Sequence, residues 1–125
     1  METEKITINL GVVDLGQIDL LVEQSFYSNR TDFIRTAIRN QISVHSSEIK
    51  KITTEKLYAS MGVVVLNKKD LEIMKSQGKK YDIKLVGMLV ITNDITPELA
   101  AETIESVKVY GVIRASAEVK KVISK

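Results

Sequence analysis

The 125-residue chain contains no cysteine and no tryptophan, and it has only one histidine and one proline. Without cysteine, the protein cannot use a disulfide framework, a thiolate metal site or a cysteine nucleophile. No apolar run approaches the roughly 20 residues of a membrane-spanning helix, and the N-terminal METEK lacks the apolar core of a signal peptide. We therefore expect a cytoplasmic globular protein.

The scarcity of histidine also limits catalysis and metal binding. His45 has no second histidine or cysteine with which to share a metal ion, and no serine–histidine–acid set can be assembled around it. The six glycines are scattered singly, so they do not form a phosphate-cradling loop. We expect no catalytic residues, no metal and no cofactor, and therefore no enzymatic activity.

The segment KITINL near the N-terminus has the alternation of a strand. Three apolar residues alternate there with three polar ones: Ile6, Ile8 and Leu10 with Lys5, Thr7 and Asn9. A period of two places the two sets on opposite faces. Because the next candidate strand lies far downstream, we predict antiparallel pairing with the same strand of a second copy. A two-stranded ribbon fits the major groove of B-DNA, which makes the polar residues candidate base readers.

Two amphipathic helices are predicted after this strand. The first runs from about Asp14 to Phe26, with Asp14 as the expected N-cap. The second runs from about Arg30 to Ile42 or slightly beyond, capped by Asn29, with Asp32 closing a capping box or favouring the positive helix end. The expected inward residues are Leu15, Ile18, Leu21, Val22 and Phe26 in the first helix and Phe33, Ile34, Ala37, Ile38, Gln41 and Ile42 in the second.

A strand and two helices in this order, with NRTDFIRTAIR opening the second helix, resemble the ribbon-helix-helix (CopG-like) DNA-binding family. The resemblance covers roughly Glu4–Val44, about a third of the chain. It implies that the outward strand residues read bases and that backbone amides at the second helix start hold a phosphate. The residues concerned are Lys5, Thr7 and Asn9 in the strand and Asn29, Arg30 and Thr31 at the helix start.

The resemblance has physical support and one departure. Unpaired amides and the helix dipole favour an anion at the start of any helix. The strand contains no arginine, however, so the commonest bidentate contact to guanine is missing. The lack of further histidine or cysteine argues against the nickel-sensing branch of the family.

Competing interpretations of these residues stay open. The polar strand residues also fit the solvated face of a paired ribbon, and Arg35 and Arg39 fit a solvated helix face better than DNA contacts. Residues 1–45 hold four basic and six acidic side chains, whereas residues 46–125 hold 14 and 10. DNA affinity draws heavily on phosphate neutralisation, so this distribution counts against DNA binding.

Beyond a polar connector, three apolar runs recur at spacings of 25 and 24 residues, each with a glycine at Gly62, Gly87 or Gly111. This predicts three strand-plus-helix repeats, which form either a short βα solenoid with parallel strands or an ordinary α/β domain. The β-rich stretches are Val63–Leu66, Met88–Ile91 and Val112–Ala115, and the helical ones are Lys69–Gly78, Thr96 to about Ser106, and Glu118–Ile123. Thr96 is the expected N-cap of the second of these helices, with Pro97 at its first position.

Together these patterns predict an α+β protein in three parts. Residues 1–46 form a ribbon-helix-helix domain as an intertwined dimer, residues 47–56 connect, and residues 57–125 form an α/β repeat domain for oligomerisation or for binding a partner or effector. No polar cluster in that last part identifies a ligand.

The leading hypothesis is a sequence-specific transcriptional regulator that binds double-stranded DNA as a homodimer and assembles further through open strand edges of the repeat domain. The alternative is an antitoxin-like or scaffold interaction protein that uses the same dimer fold with weak or no DNA binding.

Overall fold

The computed structural model describes residues 3–124 and divides into two compact units, the first ending at Lys51 and the second beginning at Ile52. No helix of this described part is long and apolar enough to cross a membrane. The first unit contains α1 (Val12–Glu23), α2 (Arg30–Val44) and α3 (Ser46–Lys51). The second contains a π-helical turn (Ile52–Lys56), β1 (Ser60–Leu66), α4 (Lys68–Ser76), β2 (Tyr81–Ile91), α5 (Pro97–Thr103), β3 (Ile104–Arg114) and α6 (Ala117–Ile123).

The strand predicted over KITINL is not formed in the single chain, where residues 3–11 have no regular secondary structure and are exposed. A strand is defined by backbone hydrogen bonds to a neighbouring strand, and the three strands of the structure pair with one another. Ile8 leaves 60% of its surface in water. The segment therefore carries apolar side chains that the single chain does not cover.

Helix α1 begins two residues earlier than predicted and ends three residues sooner. Gly11 is its N-cap and supplies no side-chain bond, so the prediction of Asp14 as N-cap is wrong. Asp14 instead lies in the first turn, where its charge favours the positive end of the helix dipole. The prediction that Phe26 is inward is also wrong, because it follows the helix and is largely exposed.

Helix α2 starts at Arg30 as predicted and extends to Val44, with His45 as its C-cap. Its predicted inward stripe is only partly covered. Phe33 and Ile34 are partly buried, whereas Ile38 and Ile42 are exposed. Among the described residues of this unit, Ile18 of α1 is the one apolar residue that exposes less than a tenth of its surface. The helix pair alone therefore lacks a closed core.

The second unit is a three-stranded parallel sheet in the order β1-β2-β3. A helix follows each strand, which is the strand-plus-helix repeat that the sequence predicts. Leu71 of α4, Ala100 of α5 and Val119 of α6 share one core with the inward strand residues, so all three helices cover the same face of the sheet. The most deeply buried strand residues of this core are Leu66, Leu85, Leu89 and Ile91.

Side-chain caps define where these helices begin. Asn67 and Asp70 form a reciprocal capping box at α4, and the hydroxyl of Ser116 accepts from the amide of Val119 at α6. Thr96 caps α5 ahead of Pro97, as predicted. Helix α5 ends at Thr103 rather than near Ser106, because Ile104 is already paired with Tyr81 as the first residue of β3.

The three repeat glycines lie side by side across the sheet, with Gly62 paired to Gly87 and Gly87 paired to Gly111. All three have positive φ angles, of 130°, 143° and 131°. A Cβ atom at Gly87 would lie 2.0 Å from the carbonyl oxygen of Gly62, and one at Gly111 would lie 2.1 Å from that of Gly87. The neighbouring strands can adopt this register only because side chains are missing along the row.

Alanine substitutions at two of these glycines can distinguish the cost of steric clash from the cost of backbone strain. We expect Gly62→Ala, which meets open space, to cost about 1–3 kcal/mol through its φ angle alone. Gly87→Ala meets the same strain plus a backbone atom, and it should lose clearly more stability in urea unfolding. Gly16→Ala, in the open interior of α1, is the control and should gain about 0.5–1 kcal/mol. Equal losses at Gly62 and Gly87 would contradict the close-approach explanation.

Candidate nucleic-acid interface

The turn between α1 and α2 is held by backbone hydrogen bonds that reverse the chain tightly. The amide of Phe26 donates to the carbonyl of Leu21 at 2.9 Å, and the amide of Ser25 donates to that of Val22 at 3.1 Å. This is the Schellman arrangement that ends many helices. Ser25 occupies the left-handed position, with φ 67°, where glycine is usual.

The start of α2 is held by two short-range hydrogen bonds. The Asn29 side-chain oxygen accepts from the amide of Asp32 at 2.8 Å, which confirms the predicted N-cap. The carboxylate of Asp32 accepts from the amide of Ser28 at 3.0 Å. This bond reaches one residue further back than in a reciprocal capping box, which was one of the two roles expected of Asp32.

The side chain of Arg30 is engaged within the first unit. Its Nε and Nη2 atoms donate to the two carboxylate oxygens of Asp19 at 2.7 and 2.8 Å, a bidentate ion pair between α2 and α1. The hydrogen bond from Arg30 lowers the pKa of Asp19 below its ordinary value, and the pair raises the pKa of Arg30. The Arg30 side chain thus links the two helices, and its contribution to anion binding is left to its backbone amide.

The first turn of α2 presents a small anion-accepting surface. The amides of Arg30 and Thr31 lie in the first turn, where a helix provides no carbonyl acceptor, and the described chain supplies no other. Both residues are exposed, so a phosphate can reach these amides. The carboxylates of Asp19 and Asp32 stand nearby and work against an anion. Arg30 partly neutralises the first of them.

The six predicted DNA-binding residues fall into two groups. Asn29, Arg30 and Thr31 are brought together at the start of α2. The other group, Lys5, Thr7 and Asn9, is exposed in the irregular segment before α1. Arg35 and Arg39 are exposed on α2, as a solvated helix face requires.

Two contributors to this region were not predicted from the sequence. Asp19 lies on α1 and Arg30 on α2, so the ion pair depends on the turn that brings the two helices together. The left-handed backbone of Ser25 could not be predicted from its residue type, because glycine or asparagine is the usual residue at such a position.

The second unit offers one further polar feature, an open cleft of about 580 Å³ where β2 and β3 end. Its polar lining includes Thr92, Asn93, Arg114 and Lys120. The described residues contain no group of three or more histidine, cysteine, aspartate or glutamate side chains arranged to hold a metal ion.

Comparison with known proteins identifies one family. The model of the Ribbon-Helix-Helix transcriptional regulator family matches residues 1–120, so the relationship extends through the second unit and not only over the N-terminal third. No curated protein and no solved structure gives a significant match.

The ion pair between the helices gives a measurable pKa. We expect the pKa of Asp19, followed by NMR in the full chain, to lie below its ordinary 3.8 and to return toward that value in Arg30→Gln. Because the folded pKa is lowered, the pair stabilises the helix junction above the unfolded pKa, and this stabilisation is lost as pH falls through the folded pKa. Both side chains are about half exposed, so the effect on stability is small and screened by salt. An unchanged pKa in Arg30→Gln would contradict this assignment.

Proposed function

The chain belongs to the Ribbon-Helix-Helix transcriptional regulator family, and from this we propose that it is a sequence-specific regulator that binds double-stranded DNA as a homodimer. In this proposal KITINL pairs with its counterpart in a second chain, and the resulting ribbon enters the major groove. The observation that carries the proposal is the uncovered apolar surface of the first unit.

That surface has the composition of a core cut in half. The apolar residues of KITINL are all exposed, as are Leu20 in α1 and Ile38 and Ile42 in α2. Burying such side chains contributes about 1.5–3 kcal/mol each, and the helix pair offers no interior for them. A second copy of the same unit would supply both the strand partner and the missing half of the core.

In this proposal, one group of residues reads the bases and another positions the protein on the DNA backbone. The alternation places Lys5, Thr7 and Asn9 on the face of the strand opposite the apolar residues, so dimerisation would leave them pointing outward. The amides of Arg30 and Thr31 would hold a backbone phosphate and set the ribbon in register.

The second unit is the proposed site of further assembly or of partner and effector binding. The two free edges of its sheet belong to β1 and β3 and offer backbone groups to another subunit. The cleft bearing Asn93 and Lys120 is the better place for an effector, which would be anionic.

One observation favours the alternative of an antitoxin-like or scaffold protein with weak DNA binding. Residues 1–51 hold six basic and seven acidic side chains, so the first unit as a whole does not attract the phosphate backbone. A base-reading ribbon on such a unit should show specific binding with a modest dependence on salt. A scaffold protein should show no DNA sequence specificity and should not stay bound to DNA at physiological salt.

Base reading is tested with a site selected from a random-sequence DNA pool. We expect Thr7→Ala and Asn9→Ala to lose roughly 1–3 kcal/mol of discrimination between the selected site and altered sites, with folding unchanged. Asn40→Ala, an exposed polar change on α2, is the matched control and should bind as wild type does. If both strand variants also bind as wild type does, the ribbon is not the reader and the scaffold function is favoured.

Dimerisation through the strand is tested with Ile8→Asp in the full chain. The substitution places an unpaired charge in the proposed shared core, where its burial is prohibitive, so the variant should sediment as a monomer at low protein concentration. Thr7→Asp adds the same charge to the opposite strand face and should leave the dimer intact. A wild-type chain that sediments as a folded monomer would refute the dimer.

A further inference from the structure

The face of the sheet that the helices do not cover carries a patch of mostly apolar residues. Strand register places nine residues on it in three rows: Met61–Val86–Tyr110, Val63–Met88–Val112 and Val65–Val90–Arg114. We call this surface the open face. None of the nine belongs to the core beneath the helices. Eight of them are apolar or aromatic, and the charged member stands at a corner.

The open face is accessible in the single chain. Met61, Val63 and Val65 along β1 each expose more than half of their surface, and Tyr110 on β3 exposes nearly half. Met88, at the centre, is the one that its neighbours bury. Parallel sheets normally have both faces covered, and they read as near-continuous apolar runs for that reason. The runs in this sequence have that composition, yet only one face is packed.

Polar groups lie at the end of the open face where β2 and β3 begin. Lys84 is directly paired with Lys108, and the ammonium of Lys108 lies 5.2 Å from the centre of the Tyr110 ring. Next along the strands, the hydroxyl of Ser106 donates to the carboxylate of Asp82. The apolar rows thus have a polar border at this end, as contact surfaces commonly do.

We propose that the open face is covered by the open face of a second copy of this chain, so that the two second units of one dimer pack sheet against sheet. The inference rests on the proposed function, because the N-terminal dimer brings the two sheets together.

The size of the open face argues for this tethered second copy. Strands about 4.8 Å apart with a rise of about 3.3 Å per residue give nine positions an area of roughly 300 Å². A stable interface between free proteins needs about 800 Å² per partner, so the face is too small to hold a separate protein alone. Two sheets already joined through a dimer meet at a high effective concentration, and a small apolar contact then suffices.

Charge selects the orientation of the two sheets. If the strands of the two copies ran parallel, the Lys84–Lys108 pairs would meet as a group of four like charges. A two-fold axis along the row Val63–Met88–Val112 makes the strands antiparallel and sends the lysine pairs to opposite ends. Each residue of that row then faces its own counterpart.

The absence of cysteine makes the contact directly testable in the full chain. Facing sheets lie about 10 Å apart, too far for a disulfide, so a short bismaleimide is used to link introduced cysteines. The test variant is Val63→Cys, and the control is Ile73→Cys on α4, a β-branched residue of similar exposure. We expect the thiol of the test variant to react with a monofunctional maleimide at least about tenfold more slowly than the thiol of the control, since the uncovered state is then a minor one. We also expect the test variant to form covalent dimers that the control does not form.

Two results would overturn the inference. Fast labelling of the Val63→Cys variant in a protein of dimeric mass would show that the face stays open. Slow labelling without covalent dimers would show that something other than a second copy covers it. Unchanged thermal unfolding of the Val63→Cys variant confirms that the sheet is intact. If this variant cross-links but the wild-type chain shows no DNA sequence preference, the proposed regulator function fails and this inference stands.

Discussion

Backbone pairing is the constraint on which this molecule depends. A strand has no stable existence without a neighbour that accepts and donates its hydrogen bonds. In the second unit, β1, β2 and β3 satisfy one another in register over most of their length. In the first unit, KITINL has the alternation of a strand and no neighbour, and it is exposed and irregular. The second unit meets this requirement within one chain, whereas KITINL meets it only in the proposed dimer.

Apolar burial follows the same division. The second unit closes a core under its three helices, where Leu71, Leu85 and Leu89 are almost wholly buried. The first unit buries little more than Ile18 and leaves much of its helix stripe in water. Both units retain one apolar surface each, the first beside the unpaired segment and the second on the open face. The proposed two-fold dimer would account for both surfaces with a single kind of partner.

The row of three glycines shows how local chemistry sets tertiary register. Gly87 and Gly111 each lie against the backbone of the preceding strand, closer than any side chain would permit. Their spacing of 24 to 25 residues therefore measures the length of one strand-plus-helix repeat. The asymmetry of the sheet also follows from this order, because three sequential parallel strands place every connecting helix on one face.

Patterns among neighbouring residues predict much of this fold, whereas contacts between distant segments do not follow from them. Periodicity and caps identify both helices of the first unit, the N-cap of α2 at Asn29, the cap at Thr96 and the three repeats, because these depend on contacts within a few residues. The prediction of Asp14 as N-cap is wrong because the N-cap is Gly11, which has no side chain to indicate a helix start. The Arg30–Asp19 ion pair, the end of α5 at Thr103 and the exposed sheet face depend on residues far apart along the chain. Only the folded backbone brings such residues together, since a pattern along one segment cannot specify what packs against it.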